Sequence, residues 1–169
     1  AETVLCADGR LLACSAAAGP CFEGATLSCG MAGQDGAIDT VTSDPGQPVR
    51  FSTIGHAPAQ GLCGSGVLDA LALLLDAGLV DETGRLEADG SALGQRIREE
   101  AFYLTETVSL SQRDIREIQL AKAAVRAGME ILLREAGLHS RDIRRLYLAG
   151  GFGSALRPRS AARIGLIPA

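Results

Sequence analysis

Residues 111–153 read SQRDIREIQLAKAAVRAGMEILLREAGLHSRDIRRLYLAGGFG, and this stretch decides the fold. Ser111 followed by Asp114 is a helix start: a hydroxyl oxygen and a first-turn carboxylate answer N–H groups that have no partner one turn back. Ile115, Ile118, Ala121, Val125, Met129, Leu132 and Ala136 then recur three and four apart, which puts them on one apolar stripe of a long helix. Gly137 stops it, because glycine takes up the left-handed cap conformation without a steric penalty. Beyond a short basic linker, Arg145-Leu146-Tyr147-Leu148-Ala149 reads as a short buried strand, and Gly150-Gly151-Phe152-Gly153 turns its end toward a new helix. That turn has two readings. It is a tight strand-to-helix connection, or it is a place where backbone closely approaches a nucleotide because no Cβ intervenes.

Upstream, the sequence supplies elements for this stretch to pack on. Glu2 to Ala7 and Arg10 to Ser15 are strand-like runs joined at Asp8-Gly9, a pair that tolerates the positive φ of a type I′ hairpin. Pro20 is placed at the first position of a helix continuing through Cys21 to Leu27. Glu23 is then either a first-turn cap or a carboxylate aimed into a cleft to position water or a metal ion. Ala37 to Val41 and Val49 to Ile54 alternate like the strands of a second hairpin across Ser43-Asp44-Pro45-Gly46. Gly61-Leu62-Cys63-Gly64-Ser65-Gly66 is a glycine-rich loop ahead of a helix from Val67 to Ala77 that Gly78 terminates, and its amides are candidates to cradle a phosphate. Its spacing matches neither the Walker loop nor the dinucleotide fingerprint. Leu79 to Tyr103 is rich in turns and reads as a mobile surface excursion. The order of elements implies an α/β lobe with a mixed sheet covered by helices.

Composition narrows the function classes. At 169 residues and 17.4 kDa, with 47% hydrophobic residues and 21 glycines, the chain has a compact globular composition. It opens in strand-like sequence without an initiator Met, so it reads as a fragment of a longer polypeptide. No apolar run reaches membrane-spanning length and no signal peptide is visible, which points to a cytoplasmic protein with no membrane partner. Residues 1–95 carry twelve acids against three arginines, a net charge of −9, while residues 96–169 carry eight acids against thirteen bases, net +5. Arg141, Arg144, Arg145, Arg157, Arg159 and Arg163 cluster around the glycine turn, suiting an anionic ligand, an acidic partner or simply a solvated face. Nucleic acid is not expected, since the whole chain is acidic and has no basic stripe interleaved with aromatic residues. Cys6, Cys14, Cys21, Cys29 and Cys63 lie at least seven residues apart, too far for zinc or iron–sulfur ligand pairs, and read as reduced thiols packed as small hydrophobes. No metal site is expected.

Five runs carry a family resemblance. Leu12-Ala13-Cys14-Ser15, Gly19-Pro20-Cys21-Phe22-Glu23-Gly24-Ala25, Gly61 to Gly66, Asp114-Ile115-Arg116-Glu117-Ile118-Gln119-Leu120-Ala121-Lys122, and Leu148 to Gly153 resemble, in order and across nearly the whole chain, the reductive activators of corrinoid proteins. That resemblance implies a ribonuclease H-like lobe of the actin-like ATPase superfamily, which also holds acetate and sugar kinases and heat-shock chaperones. Residues 1–169 would be its C-terminal ATPase-like domain, beside an N-terminal [2Fe-2S] ferredoxin-like domain outside this sequence. Such proteins use ATP and Mg²⁺ to drive electron transfer to an inactive Co(II) corrinoid protein, restoring the Co(I) form that accepts methyl groups.

By the same resemblance, Gly150, Gly151, Phe152 and Gly153 match the turn that packs on adenosine, and Gly64, Ser65 and Gly66 lie along the nucleotide cleft. The long helix forms the other wall, with Gln119, Lys122 and Arg126 in reach of adenine, ribose or phosphate; a solvated face with ordinary i,i+4 pairs is the alternative for these three. The cluster-binding cysteine region and the acidic-Gly-Thr phosphate loops of the family are missing from these residues. The chain alone is therefore expected to bind no cofactor, to turn over little ATP and to transfer no electrons. A homodimer is a further expectation. Two other classes stay open: a related phosphotransferase lobe, for which neither His56 nor His139 sits in a glycine-flanked catalytic setting, and a non-catalytic dimerisation or docking module.

Overall fold

A computed structural model of the chain describes residues 1–44 and 47–168. The first two strands, β1 (Glu2–Ala7) and β2 (Arg10–Ser15), form the expected hairpin, with Asp8 and Gly9 at φ +49° and +73° in its two-residue turn. β3 (Ala37–Thr42) is the centre of a mixed sheet. It pairs antiparallel with β4 (Arg50–Thr53) and parallel with β5 (Gly61–Leu62), and Gly30 bridges the far side of β5. Of the turn expected between β3 and β4, Pro45 and Gly46 lie outside the described residues.

α1 (Gly64–Asp76) lies across β3, and Ile38, Val67, Leu68, Leu71 and Leu74 are buried together between them. It begins three residues earlier than the sequence suggests. Gly64, Ser65 and Gly66 are its first turn rather than an open loop, and a Cβ on Gly66 would press on the Ile38 carbonyl oxygen. The glycines allow the helix to sit close on the strand.

The expected helix from Pro20 to Leu27 shrinks to one 3₁₀ turn, Cys21–Glu23, with Pro20 as its N-cap. Gly24, at φ +83°, ends it. A side chain at Gly24 would run into the Met31 backbone, so the chain must leave the helical path there.

Residues 79–103 are more than a surface excursion. Leu79, Val80, Ala101 and Phe102 are buried, and β6 (Ile97–Arg98), β7 (Ala101–Tyr103) and β8 (Ser109–Ser111) make a small antiparallel sheet that leads into the long helix. That helix, α2 (Gln112–Glu135), starts at a full capping box: Ser111 Oγ accepts from the Asp114 N–H at 3.1 Å, and the Asp114 carboxylate accepts from the Ser111 N–H at 2.9 Å. Its Ile115, Ile118, Ala121, Val125 and Leu132 are buried as the periodicity requires, while Met129 and Ala136 are half-buried. Gly137 closes it in a Schellman arrangement, with Leu138 N–H on the Leu133 carbonyl at 2.8 Å. α2 covers the β1–β2 hairpin, and Gly128 admits the Cys14 thiol.

The predicted buried strand at Arg145–Ala149 does not form. Residues 143–149 are unpaired among the described residues; Leu146 is 43% and Tyr147 79% exposed. The β-forming side chains are there, but no strand edge lies beside them to complete a ladder. Two short helices follow, α3 (Gly150–Ala155) and α4 (Pro158–Arg163), and α4 packs back on α1. The whole is an α/β lobe with a mixed sheet and covering helices. No helix of the described residues is long and apolar enough to cross a membrane.

Candidate functional site

The glycine turn opens α3. Ala149 is extended, Gly150 takes φ +86°, and both Gly150 and Gly151 are exposed. A Cβ built on either would meet nothing within 4 Å, whereas one on Gly153 would lie 3.2 Å from the Leu148 carbonyl carbon. The first two glycines thus present bare backbone to open space, and Gly153 serves the tightness of the turn. Phe152 points the other way. Its ring stacks on Phe22, with centroids 5.3 Å apart and planes 10° from parallel. Gly64 lies against both, because a Cβ there would press on the Phe22 carbonyl oxygen and come 2.7 Å from a Phe152 ring carbon. Three segments distant in sequence therefore meet at the start of α1. Glu23, next to Phe22, is exposed beside them.

Gly64, Ser65 and Gly66 are buried at this junction and do not line an open cradle. Ser65 is 4% exposed, and its hydroxyl lies 3.4 Å from the Cys63 sulfur. The structure brings Gly64 to Phe152 and brings neither to the α2 candidates. Lys122 Nζ donates to the Ile164 carbonyl at 2.7 Å, Gln119 Nε2 donates to the Thr83 carbonyl at 3.2 Å, and Arg126 pairs with Glu130 at 2.8 Å. Gln119 and Lys122 border a separate cavity of about 200 Å³ floored by Leu71, Leu75, Val80 and Ile164. From Gly64 to Leu75 α1 advances about 16 Å. Asp81, on the rim of that cavity, accepts the N–H of Arg85 and the N–H and hydroxyl of Thr83, which hold its carboxyl below the usual range.

One carboxylate that the motifs did not single out ties the glycine turn's helices to the core. Asp69, in the middle of α1, is 2% exposed. It accepts the Val41 N–H at 3.2 Å and the Ser160 hydroxyl at 2.6 Å, and Arg157 stands 3.3 Å from it. The signal was an acid inside the apolar run Val67 to Leu75. Phe22 was also missed as a partner for Phe152, 130 residues away, and no spacing rule reports such a pair. The arginine cluster is divided: Arg157 serves Asp69 and Arg163 serves Asp76, while Arg141, Arg144, Arg145 and Arg159 are exposed.

The five thiols are free and scattered. Cys6 is exposed on the hairpin, Cys14 packs under Gly128, Cys29 is half-buried, and Cys21 and Cys63 are buried. Burial pushes the Cys21 thiol up to about 11, so it stays protonated at neutral pH. No three His, Cys, Asp or Glu side chains of the described residues converge on a point that fits a metal ion. An iron–sulfur cluster finds no set of thiolates among them.

A family profile described as the "C-terminal domain of RACo the ASKHA domain" matches residues 1–169. A protein of Eubacterium limosum called "Corrinoid activation enzyme RamQ" is 34% identical over 91% of the chain, which spans 29% of that protein's length. The "[Co(II) methylated amine-specific corrinoid protein] reductase" of Methanosarcina barkeri is 28% identical over 99% of the chain and 33% of its own length. A solved structure titled "Reductive activator for corrinoid,iron-sulfur protein" superposes on 99% of the chain with a TM-score of 0.87 at 37% identity, using 28% of that longer chain. The chain spans about a third of the length of these relatives. With the profile covering every residue and the fold superposing throughout, the chain belongs to the family of RACo C-terminal ASKHA domains.

Proposed function

We propose that this domain is the nucleotide-binding part of an ATP-dependent reductive activator that returns a Co(II) corrinoid protein to Co(I). In this reading the domain supplies the adenosine side of the nucleotide cleft and a surface for the corrinoid protein. The carrying observation is the pair Gly150 and Gly151: exposed backbone, one residue at φ +86°, and no atom within 4 Å of either Cβ position. The names of the curated relatives support the corrinoid partner. Glu23, exposed beside the turn, is the acid proposed to orient water or Mg²⁺. Gln119, Lys122 and Arg126 are already held by Thr83, Ile164 and Glu130, so they rank behind the turn as ligand contacts. The phosphate loops, the [2Fe-2S] cluster and its electron path would belong to the remaining two thirds of a protein as long as the relatives. When bound, ATP supplies the driving force for an otherwise uphill reduction. This domain's part is to hold adenosine in a fixed place.

Calorimetric titration of the full-length protein with ATP tests the reading. Gly151→Val puts side-chain atoms where backbone must approach the ligand, and is expected to weaken ATP binding by at least about tenfold. Because the site is open, the melting temperature should move little. Loss of the Co(II) absorption of a corrinoid protein, given reductant and ATP, should slow in parallel. Unchanged ATP affinity would overturn the assignment.

A further inference from the structure

We infer that Phe22 and Phe152 are positioning residues that lock the acid-bearing turn Cys21–Glu23 and the glycine turn Gly150–Gly153 into one unit, with Gly64 as the bare pivot between them. This rests on the reading of Gly150 and Gly151 as the adenosine contact. Neither ring faces the open space beside those glycines. The two rings are half-buried against each other at 5.3 Å, near parallel, and spend their contact area on joining two segments that share no backbone hydrogen bond. The closeness of the join is built in at three further positions. Gly64 has no room for a Cβ between Phe22 and Phe152, Gly24 has none beside the Met31 backbone, and Gly30 has none beside Gly24. Residues 22–24 are therefore wedged on both sides, and Glu23 is the exposed residue of this turn. Movement of the glycine turn must carry Phe152 with it, and Phe152 cannot shift without displacing Phe22 and its neighbour Glu23. The stack thus sets the distance between the carboxylate and the adenosine-holding backbone, a distance that loop sequences alone would leave variable.

The test separates positioning from plain stability. In the full-length protein, ATP and inorganic tripolyphosphate are titrated against wild type, Phe22→Leu and Phe22→Tyr. Leucine keeps apolar volume but loses the ring face, and tyrosine keeps the ring and can turn its hydroxyl to solvent. Phe22→Leu is expected to weaken ATP about five- to tenfold and leave tripolyphosphate unchanged, because loss of the ring face frees the glycine turn that holds adenosine, whereas the phosphate loops of this reading lie outside the domain. Phe22→Tyr should bind both like wild type. Should Phe22→Leu fail to fold, Phe152→Leu carries the same comparison from the other ring. Wild type that binds no ATP overturns the nucleotide reading and this inference with it. Wild type that binds ATP, with Phe22→Leu indistinguishable from it or weakened equally for both ligands, overturns the positioning role alone.

Discussion

Replacing Asp69 by alanine is the sharpest probe of how the helices behind the glycine turn are held. The carboxylate is 2% exposed and is shared by the Val41 N–H, the Ser160 hydroxyl and, at 3.3 Å, the Arg157 guanidinium. Hydrogen bonds to a charged group contribute about 1.5–3 kcal/mol each, and removing the acceptor leaves the Val41 and Ser160 donors without partners. The Arg157 side chain is 46% exposed, so water replaces most of its share, which we put below about 1 kcal/mol. Asp69→Ala should then cost about 4 kcal/mol. At roughly 2–4 °C per kcal/mol for a domain of this size, the melting temperature should fall by about 8–16 °C. Asp69→Asn retains one acceptor for Ser160 but turns an amide toward Val41, and should cost about half as much. Ser160→Ala removes a donor to the same acceptor, so its effect should vanish in the Asp69→Ala background. Urea unfolding followed by circular dichroism reads wild type and all four variants. A loss under about 1 kcal/mol for Asp69→Ala, or strict additivity with Ser160→Ala, would refute the claim that this carboxylate anchors α4.

Glycines of opposite roles should part company. Gly66→Ala drives a methyl into the Ile38 carbonyl and should destabilise by about 1–3 kcal/mol, whereas Gly90→Ala, with open space and no positive φ, should stay within about 0.5 kcal/mol in the same denaturation experiment. Ser111→Ala removes the α2 cap and should cost about 1 kcal/mol. Thiol alkylation mapped by mass spectrometry at pH 8 should mark exposed Cys6 first and Cys21 last. Cys21 also predicts a pH dependence: the native thiol keeps its proton to about 11, the unfolded one releases it near the ordinary thiol value of 9.0, so the native state binds more protons in that window. Stability should therefore fall as pH rises from about 9 to 11, and Cys21→Ala should flatten that slope.

Features written in local chemistry were legible beforehand. Asp8-Gly9, the Ser111–Asp114 box, the apolar stripe of α2 and the Gly137 cap each depend on residues within a turn or two of one another, and all stand where the sequence put them. The run Gly61 to Gly66 was ambiguous for a physical reason: a ligand cradle and a tight helix–strand contact both demand the absence of a Cβ, and only the position of Ile38 decides between them. Arg145–Ala149 was read wrongly as a buried strand, because pairing is supplied by a neighbour that propensity does not reveal. Of the candidate site, the open Gly150 and Gly151 were legible, while the ring pair Phe22–Phe152 and the Asp69–Ser160 bond were not. Each of those joins residues about ninety or more positions apart, and only the folded chain sets them side by side.

Lys122 is the chain's single lysine, and its ammonium is committed to the carbonyl of Ile164 at the end of α4. Acylation at this position would remove the charge and put a bulky amide where the helix end now finds its donor. Amine-reactive reagents, read at Lys122 by peptide mass spectrometry, consequently become a gauge of this domain's closure. While α4 is seated, the nitrogen is occupied and half-buried; when α4 lifts from α1, the nitrogen is released. A labelling rate at one residue thus reports how often the far end of the lobe opens, with no engineered probe.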